Sequence, residues 1–309
     1  MTAEGSGRVL LRACRIAGLD AAGACLVSSA ENSVYRLRGG VVARVGRPGQ
    51  RGSAGNEVRV ARWLERAGLP AVRALTGVAQ PVEVDGAPVT FWVELPDHHD
   101  AENLQVAEVL RRVHALEPPA DFRLPPLAPF VRVRDRIATA PTVSPADRAW
   151  LLAYADDLEA RHAELPGGRD AGVVHGDAWA GNVAVDGTGT AWIVDLERFS
   201  VGPPEWDLVS TAVRMTSFGT LDAVGYRQFC DAYGYDVTAW AGYETLRDIR
   251  ELRACSYMLQ HAASGAAARA EADRRVACLR GRAGERPWHW RRIVTTKASP
   301  GDSAVPRRG

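Results

Sequence analysis

The sequence predicts an α+β protein of two lobes: a small N-terminal lobe on an antiparallel sheet and a larger, mainly helical C-terminal lobe. Three observations carry this reading. A length of 309 residues exceeds what one hydrophobic core ordinarily supports. Between residues 24 and 95, short β-branched runs alternate with glycine-containing turns, the pattern of hairpins. From 101 to 280, one β-rich stretch at 173–199 apart, apolar residues recur at three- and four-residue intervals, the pattern of helices.

In the first lobe, residues 7–18 place Val9, Leu10, Ala13, Ile16 and Ala17 at helical spacing and stop at Gly18. Strands are expected at 24–28, 33–37 and 41–45, with Gly39-Gly40 as a hairpin turn. A helix over 53–67 closes at Gly68 and Pro70. Strands 78–84 and 89–95 follow, joined at Asp85-Gly86. Pro96 ends the last strand, and 93–97 reads as a linker. The lobes are therefore expected to divide as 1–95 and 96–297, with a disordered tail rich in Gly, Pro, Ser and Arg at 298–309.

In the second lobe a helix is expected over 101–116, with Leu104, Val106, Val109, Leu110, Val113 and Leu116 inward, before the Pro-rich connector 118–129. Another spans 145–164, with Trp150, Leu151, Tyr154 and Leu158. A third occupies 208–216, opened by Gly202-Pro203-Pro204-Glu205-Trp206-Asp207. Helical periodicity continues at 221–233, 238–262 and 266–280, and Trp288 and Trp290 are expected to pack the final segment down.

Composition narrows the functional classes. Apolar residues make up 46% and charged residues 24%, ordinary for a soluble globular protein. A formal net charge of +1 argues against a nucleic-acid or membrane-surface binder, which would carry a basic excess. Of the 38 basic residues, Lys297 is the lone lysine. Cys14, Cys25, Cys230, Cys255 and Cys278 are odd in number and lack paired spacing, which points to small buried hydrophobes in a reducing compartment. With no apolar leader or 18-residue apolar span, a cytoplasmic protein is expected, acting as a monomer or weak homodimer.

The chemistry concentrates at 173–199. A strand-turn-strand built on 183–185, Asp186, Gly187, Gly189 and 191–194 has His175, Asp177 and Asn182 before it and Asp195 and Glu197 after it. A hairpin brings its two ends together, and so gathers two carboxylates and an amide. A magnesium ion takes hard oxygen ligands and is held by one or two protein groups plus substrate phosphates, a role open to Asn182 and Asp195. Asp177, five residues before Asn182, would accept the proton of an attacking hydroxyl. Alone, a His-Gly-Asp turn is commonly a cap, and an Asp after a strand often begins a helix. Four such positions in this order are harder to reach by accident.

The pattern His175-x-Asp177-x4-Asn182, followed thirteen residues later by Asp195, resembles the catalytic and metal-binding loops of the aminoglycoside phosphotransferase family. These choline-kinase-like small-molecule kinases are relatives of the protein kinases. The resemblance implies a bilobal protein-kinase-like fold, ATP or GTP as donor, Mg2+, and transfer of the γ-phosphate to a hydroxyl of a small molecule such as an aminoglycoside or related antibiotic or metabolite. It places Arg44 where the family has a strand lysine, and Glu57 as its helix partner. Arginine keeps the charge but differs in reach and hydration. It sets Ser29 and Asn32, in a loop without the protein-kinase glycine pattern, over the phosphates, and Glu94 and Leu95 at the purine edge. Asp207 and His175 would brace the catalytic loop, and His114 would be structural. Helices after 219 would supply the acceptor site, with Asp222, Asp231, Asp236, Glu244, Asp248 and Glu251 as acidic candidates and Tyr226, Tyr233, Trp240 and Tyr243 as aromatic ones. The resemblance spans roughly 20–290, its specific motifs only 44–57 and 175–208. Two other readings stay open: a pseudokinase-like nucleotide-binding regulator, suggested by Arg44, and a protein kinase, weakened by Asp195-Leu196-Glu197 standing in place of Asp-Phe-Gly.

Overall fold

The computed structural model describes residues 3–29 and 32–291. They form two compact units. One contains the described residues up to His99 together with Val185–Glu197; the other contains Asp100–Ala184 and the described residues from Arg198 onward.

The first unit opens with α1 (Ala3–Ala17), which begins earlier than its apolar spacing suggests. Strands β1 (Cys25–Ser29), β2 (Ser33–Leu37) and β3 (Val41–Val45) precede α2 (Arg51–Arg66). Then come β4 (Val82–Val84) and β5 (Ala87–Val93). The five strands make one antiparallel sheet in the order β1-β2-β3-β5-β4. Strand β4 starts only after Pro81, which has no N–H to give a ladder. Asp85 and Gly86 both take positive φ, 51° and 75°, as a two-residue turn matching the strand twist requires.

Val9, Leu10, Ala13 and Cys14 of α1 form one buried cluster with Tyr35, Ala43, Val45, Val84, Val89 and Phe91 of the sheet. Ile16, expected on that face, is 65% exposed. Of the cysteines, Cys14, Cys255 and Cys278 are buried, but Cys25 is exposed, and all five are free thiols.

Strand β6 (His98–Asp100) begins in the last residues of the first unit's opening stretch, and α3 (Asn103–His114) is the first helix of the second unit. Helix α3 buries Val106, Ala107, Val109, Leu110 and Val113 and leaves Leu104 49% exposed, because Leu104 falls off the stripe set by the other five. A short α4 (Val133–Thr139) follows the connector and was not anticipated. Helix α5 (Pro145–Ala163) starts on a Ser144 cap with proline in its first turn. Strand β7 (Gly172–Val174) leads to β8 (Val183–Asp186), β9 (Ala191–Ile193) and β10 (Ser200–Gly202), and β10 pairs antiparallel with β7.

The remaining helices are α6 (Glu205–Thr216), α7 (Ala223–Tyr233), α8 (Tyr243–His261) and α9 (Ala266–Leu279). Helix α8 is central, touching α4, α5, α6 and α9. Trp288 and Trp290 are buried and stack on each other, as expected, and the Trp288 N–H bonds to the Ser217 carbonyl at 2.7 Å.

Residues 185–197 group with the first unit, not with the second lobe to which the linear reading assigned them. The cause is backbone pairing: the Ile193 N–H bonds to the Pro70 carbonyl (3.0 Å), and Val72 N–H to the Ile193 carbonyl (2.9 Å). The tail expected at 298–309 lies outside the described residues, within which no helix is long and apolar enough to cross a membrane.

Phe91 is fully buried at the centre of β5. Phe91→Ala is expected to cost the first unit about 3–5 kcal/mol, read from the shift of its denaturant unfolding midpoint.

Candidate active site

In the first unit, β3 presents Arg44 and α2 presents Glu57. The Arg44 Nη1 donates to Glu57 Oε1 at 2.6 Å, with side-chain exposures of 23% and 6%. This is a specific, largely desolvated ion pair; neither partner is a solvated surface charge. The Asp195 carboxylate lies 3.8 Å from the Arg44 Nη2. Asp195 holds φ at 57°, unusual for a residue with a side chain and of the kind that clusters at functional sites.

A pocket beside the pair is lined by Asn32, Arg44, Ser53, Glu57, Thr90 and Glu197 among others. Burial pushes the Glu57 carboxyl up to about 7; Arg44 opposes this, while Asp195 and Glu197 reinforce it. Burial works against the Arg44 cation, but Glu57, Asp195 and Glu197 together outweigh it and raise its pKa. Three carboxylates around one guanidinium leave local negative charge, which a cation would relieve.

Of the other residues expected here, Asn32 lines the pocket. Ser29 does not, and its Oγ lies 3.5 Å from that of Ser33. Glu94 gives its backbone N–H to the Gly40 carbonyl at 2.8 Å, and its carboxylate pairs with Arg36. Leu95 follows, half-buried.

In the second unit the loop after β7 is held from beneath by Asp207, which is fully buried in the first turn of α6. Its carboxylate accepts the His175 N–H (2.7 Å), the Gly176 N–H (2.9 Å) and the His114 Nε2 (3.1 Å). Burial pushes Asp207 up, but the His114 hydrogen bond and the His114, His175 and Arg250 charges outweigh that and hold it below the ordinary carboxylate range. His114 is in turn fixed by the Tyr233 hydroxyl at 2.8 Å. Gly176 has φ of 84°, and a Cβ there would sit 2.3 Å from the Arg198 carbonyl oxygen, so only glycine fits.

Asp177 comes next, its side chain 39% exposed and its N–H bonded to His175 Nδ1 at 3.3 Å. Asn182 is buried, and its Nδ2 donates to the Asp177 carbonyl at 2.9 Å, so Oδ1 is the end left for another group. Arg250, absent from the sequence reading, approaches Asp177 Oδ1 to 3.5 Å from α8. It is 92% buried in side-chain terms, with its guanidinium 3.9 Å from the centre of the Trp206 ring. No sequence signal marked it, since Arg250 and Asp177 are 73 residues apart.

Of the two metal ligands expected from the sequence, Asn182 lies in the second unit and offers an amide oxygen, while Asp195 lies in the first and offers a carboxylate, both hard donors. Among the described residues no group of three or more His, Cys, Asp or Glu side chains could hold a metal alone.

The acidic candidates for an acceptor site are largely spent. Asp222 caps α7, and Asp236 caps the turn after it while accepting from the Tyr226 hydroxyl at 2.7 Å. Asp248 pairs with Arg161 and Arg247, and the Glu251 carboxylate is gripped by both ends of Arg286 at 2.7 Å. The hydroxyls of Tyr233 and Tyr243 bond to His114 and Thr216.

The fold and these residues define a small-molecule kinase class of architecture. Residues 24–249 match the family described as APH, the phosphotransferase enzyme family, and the chain belongs to that family. A choline/ethanolamine kinase family protein from Mesorhizobium loti superposes with a TM-score of 0.59 at 19% identity, covering 91% of this chain and 96% of its own. The aminoglycoside phosphotransferase APH(3'')-Id of Streptomyces rimosus, solved in complex with ADP and streptomycin, gives 0.54 at 20% identity over 78% and 98%. An amicoumacin kinase in complex with AMP-PNP, Ca2+ and Ami gives 0.65 at 13% identity over 88% and 92%. Among curated proteins, none matches this sequence.

The Glu57 carboxyl titrates near 7 in the fold against an ordinary value of 4.5. The native state then holds this proton more tightly than the unfolded chain, so its contribution is full at low pH and is lost as pH rises through 7. Metal-free stability measured across pH 5–8 is expected to show this decline, and Glu57→Gln is expected to flatten it. Asp207→Ala would strand two buried N–H groups and His114, and is expected to cost about 3–5 kcal/mol in denaturant unfolding.

Proposed function

We propose that the protein transfers the γ-phosphate of ATP or GTP to a hydroxyl of a small molecule, with the first unit as nucleotide-binding lobe and the second as catalytic and acceptor lobe. The observation that carries this reading is the desolvated Arg44–Glu57 pair with the Asp195 carboxylate beside it. It is a pre-positioned phosphate grip next to a cation ligand. Arg44 neutralises phosphate charge and, being planar, grips two oxygens at once. Asn32 and Ser53, in the adjoining pocket, present polar groups to the same phosphates. The Glu94 carbonyl and Leu95 N–H serve the purine edge, since the Glu94 N–H is already committed to Gly40.

Asp177 accepts the proton of the acceptor hydroxyl as its oxygen bonds to the γ-phosphorus and the bond to the β–γ bridging oxygen breaks. His175 and Asp207 set the loop that carries it, and Asn182 ties the two ends of that loop. Asn182 Oδ1 and Asp195 would be the protein oxygens offered to Mg2+, which when bound would supply charge neutralisation for the phosphates. An aminoglycoside or other antibiotic is one acceptor class, but the engagement of Asp248 and Glu251 in internal ion pairs removes two of the carboxylates that would favour a polycation.

The regulator reading is favoured only by arginine at the lysine position. Nucleotide-dependent thermal stabilisation without transfer to any acceptor would support it. The kinase reading is tested by ADP release over a panel of hydroxylated acceptors. Asp177→Asn is expected to lower turnover by about 10²–10⁴-fold while calorimetric nucleotide affinity stays within about threefold. Unchanged turnover would remove Asp177 from the mechanism.

A further inference from the structure

Resting on the phosphotransferase reading, we propose that the acceptor carries an anionic group, a carboxylate or a phosphate, which docks on Arg253 and Arg250 beside the hydroxyl presented to Asp177. The two arginines lie three residues apart on one face of α8. Both guanidiniums lie over the ring of Trp206, at 3.9 Å and 5.5 Å from its centre. Trp206 is itself fixed by its Nε1 donating to the Gly176 carbonyl at 2.8 Å, inside the loop that carries Asp177. The ring thus places two cations next to the candidate base.

The charge balance around them is uneven. Arg250 faces Asp177 at 3.5 Å, donates Nη2 to the Trp206 carbonyl at 2.8 Å, and has a buried Nε with no partner among the described residues. Arg253 donates to the Pro129 carbonyl at 2.7 Å, a neutral acceptor that orients it without neutralising it. Arg198 and Arg136 add positive charge at Arg253. Burial, with Arg250 next in weight, pushes the Arg253 guanidinium down to about 9.

Among the described residues, the acids acting on these cations are Asp177, on both, and Asp207, on Arg250, and Asp207 is occupied by two backbone N–H groups and His114. The other acids of α8, Asp248 and Glu251, are held by Arg161, Arg247 and Arg286. A buried guanidinium short of counter-charge is costly, and an incoming anion offsets that cost. Stacking on an aromatic face leaves the edge N–H groups of a guanidinium available for bidentate contact with a carboxylate or phosphate. A polycationic acceptor would meet like charge at the same place.

The test titrates the full chain, loaded with ADP and Mg2+, with four matched probes in a calorimeter: glycerol, the cationic analogue serinol, glycerate and glycerol 3-phosphate. At least one anionic probe is expected to bind about tenfold tighter than glycerol, with serinol weakest. The better of glycerate and glycerol 3-phosphate identifies which anion the site takes. Arg253→Gln is expected to remove the preference and Arg253→Lys to keep most of it. Equal binding of all four, preference for serinol, no measurable anion binding, or an anion preference unchanged in Arg253→Gln would each overturn the inference. The wild-type comparison stands even if a variant fails to fold. ATP hydrolysis that is lost in Asp177→Asn reports separately on the phosphotransferase reading. A chain that hydrolyses ATP yet prefers serinol overturns the anion site alone, and one that binds glycerate through Arg253 without hydrolysing or transferring phosphate overturns the activity.

Discussion

The second unit depends on one fully buried carboxylate. Asp207 sits at the N-terminal turn of α6, where the helix favours negative charge, and receives two consecutive loop N–H groups and a histidine. That arrangement ties three elements, α3, α6 and the loop after β7, to a single point. The exposed side chain of Asp177 is therefore carried on a loop whose backbone is pinned one and two residues earlier. Trp206, the neighbour of Asp207, adds a bond to Gly176 from the other side. Few spare degrees of freedom remain in that loop.

The first unit solves a different electrostatic problem. There a guanidinium and a carboxylate are buried together, and further carboxylates from the ribbon after β9 share the cation. The geometry favours keeping Arg44 charged, while Glu57 is drawn toward neutrality. An arginine there offers a planar fork of N–H donors, so it differs from the lysine expected of the family in shape as well as in reach.

Much of this was legible in the sequence because it rests on local patterns. The hairpins at Gly39-Gly40 and Asp85-Gly86, the order of helices and strands, the Arg44–Glu57 pair and the bracing role of Asp207 all follow from spacing, turn chemistry or resemblance. What escaped depends on where helices fall in space. Leu104 is apolar but lies outside the buried stripe of α3, and α4 is too short to show a period. Arg250 and Arg253 carry no local sequence signal, because their placement follows from the packing of α8 against α6. Conversely, Asp248 and Glu251 looked available for ligand until their arginine partners appeared.

The ribbon 185–197 belongs by its contacts to the unit whose other described residues end at His99, although 85 residues of the other unit separate them along the chain. A gene split after residue 99 would give a fragment lacking the strand that closes the Pro70 and Val72 backbone groups. The two units are thus interleaved in sequence, and neither would be inherited intact by simple recombination at a single breakpoint. Exchange of a whole lobe between relatives would have to carry two separate stretches of coding sequence at once.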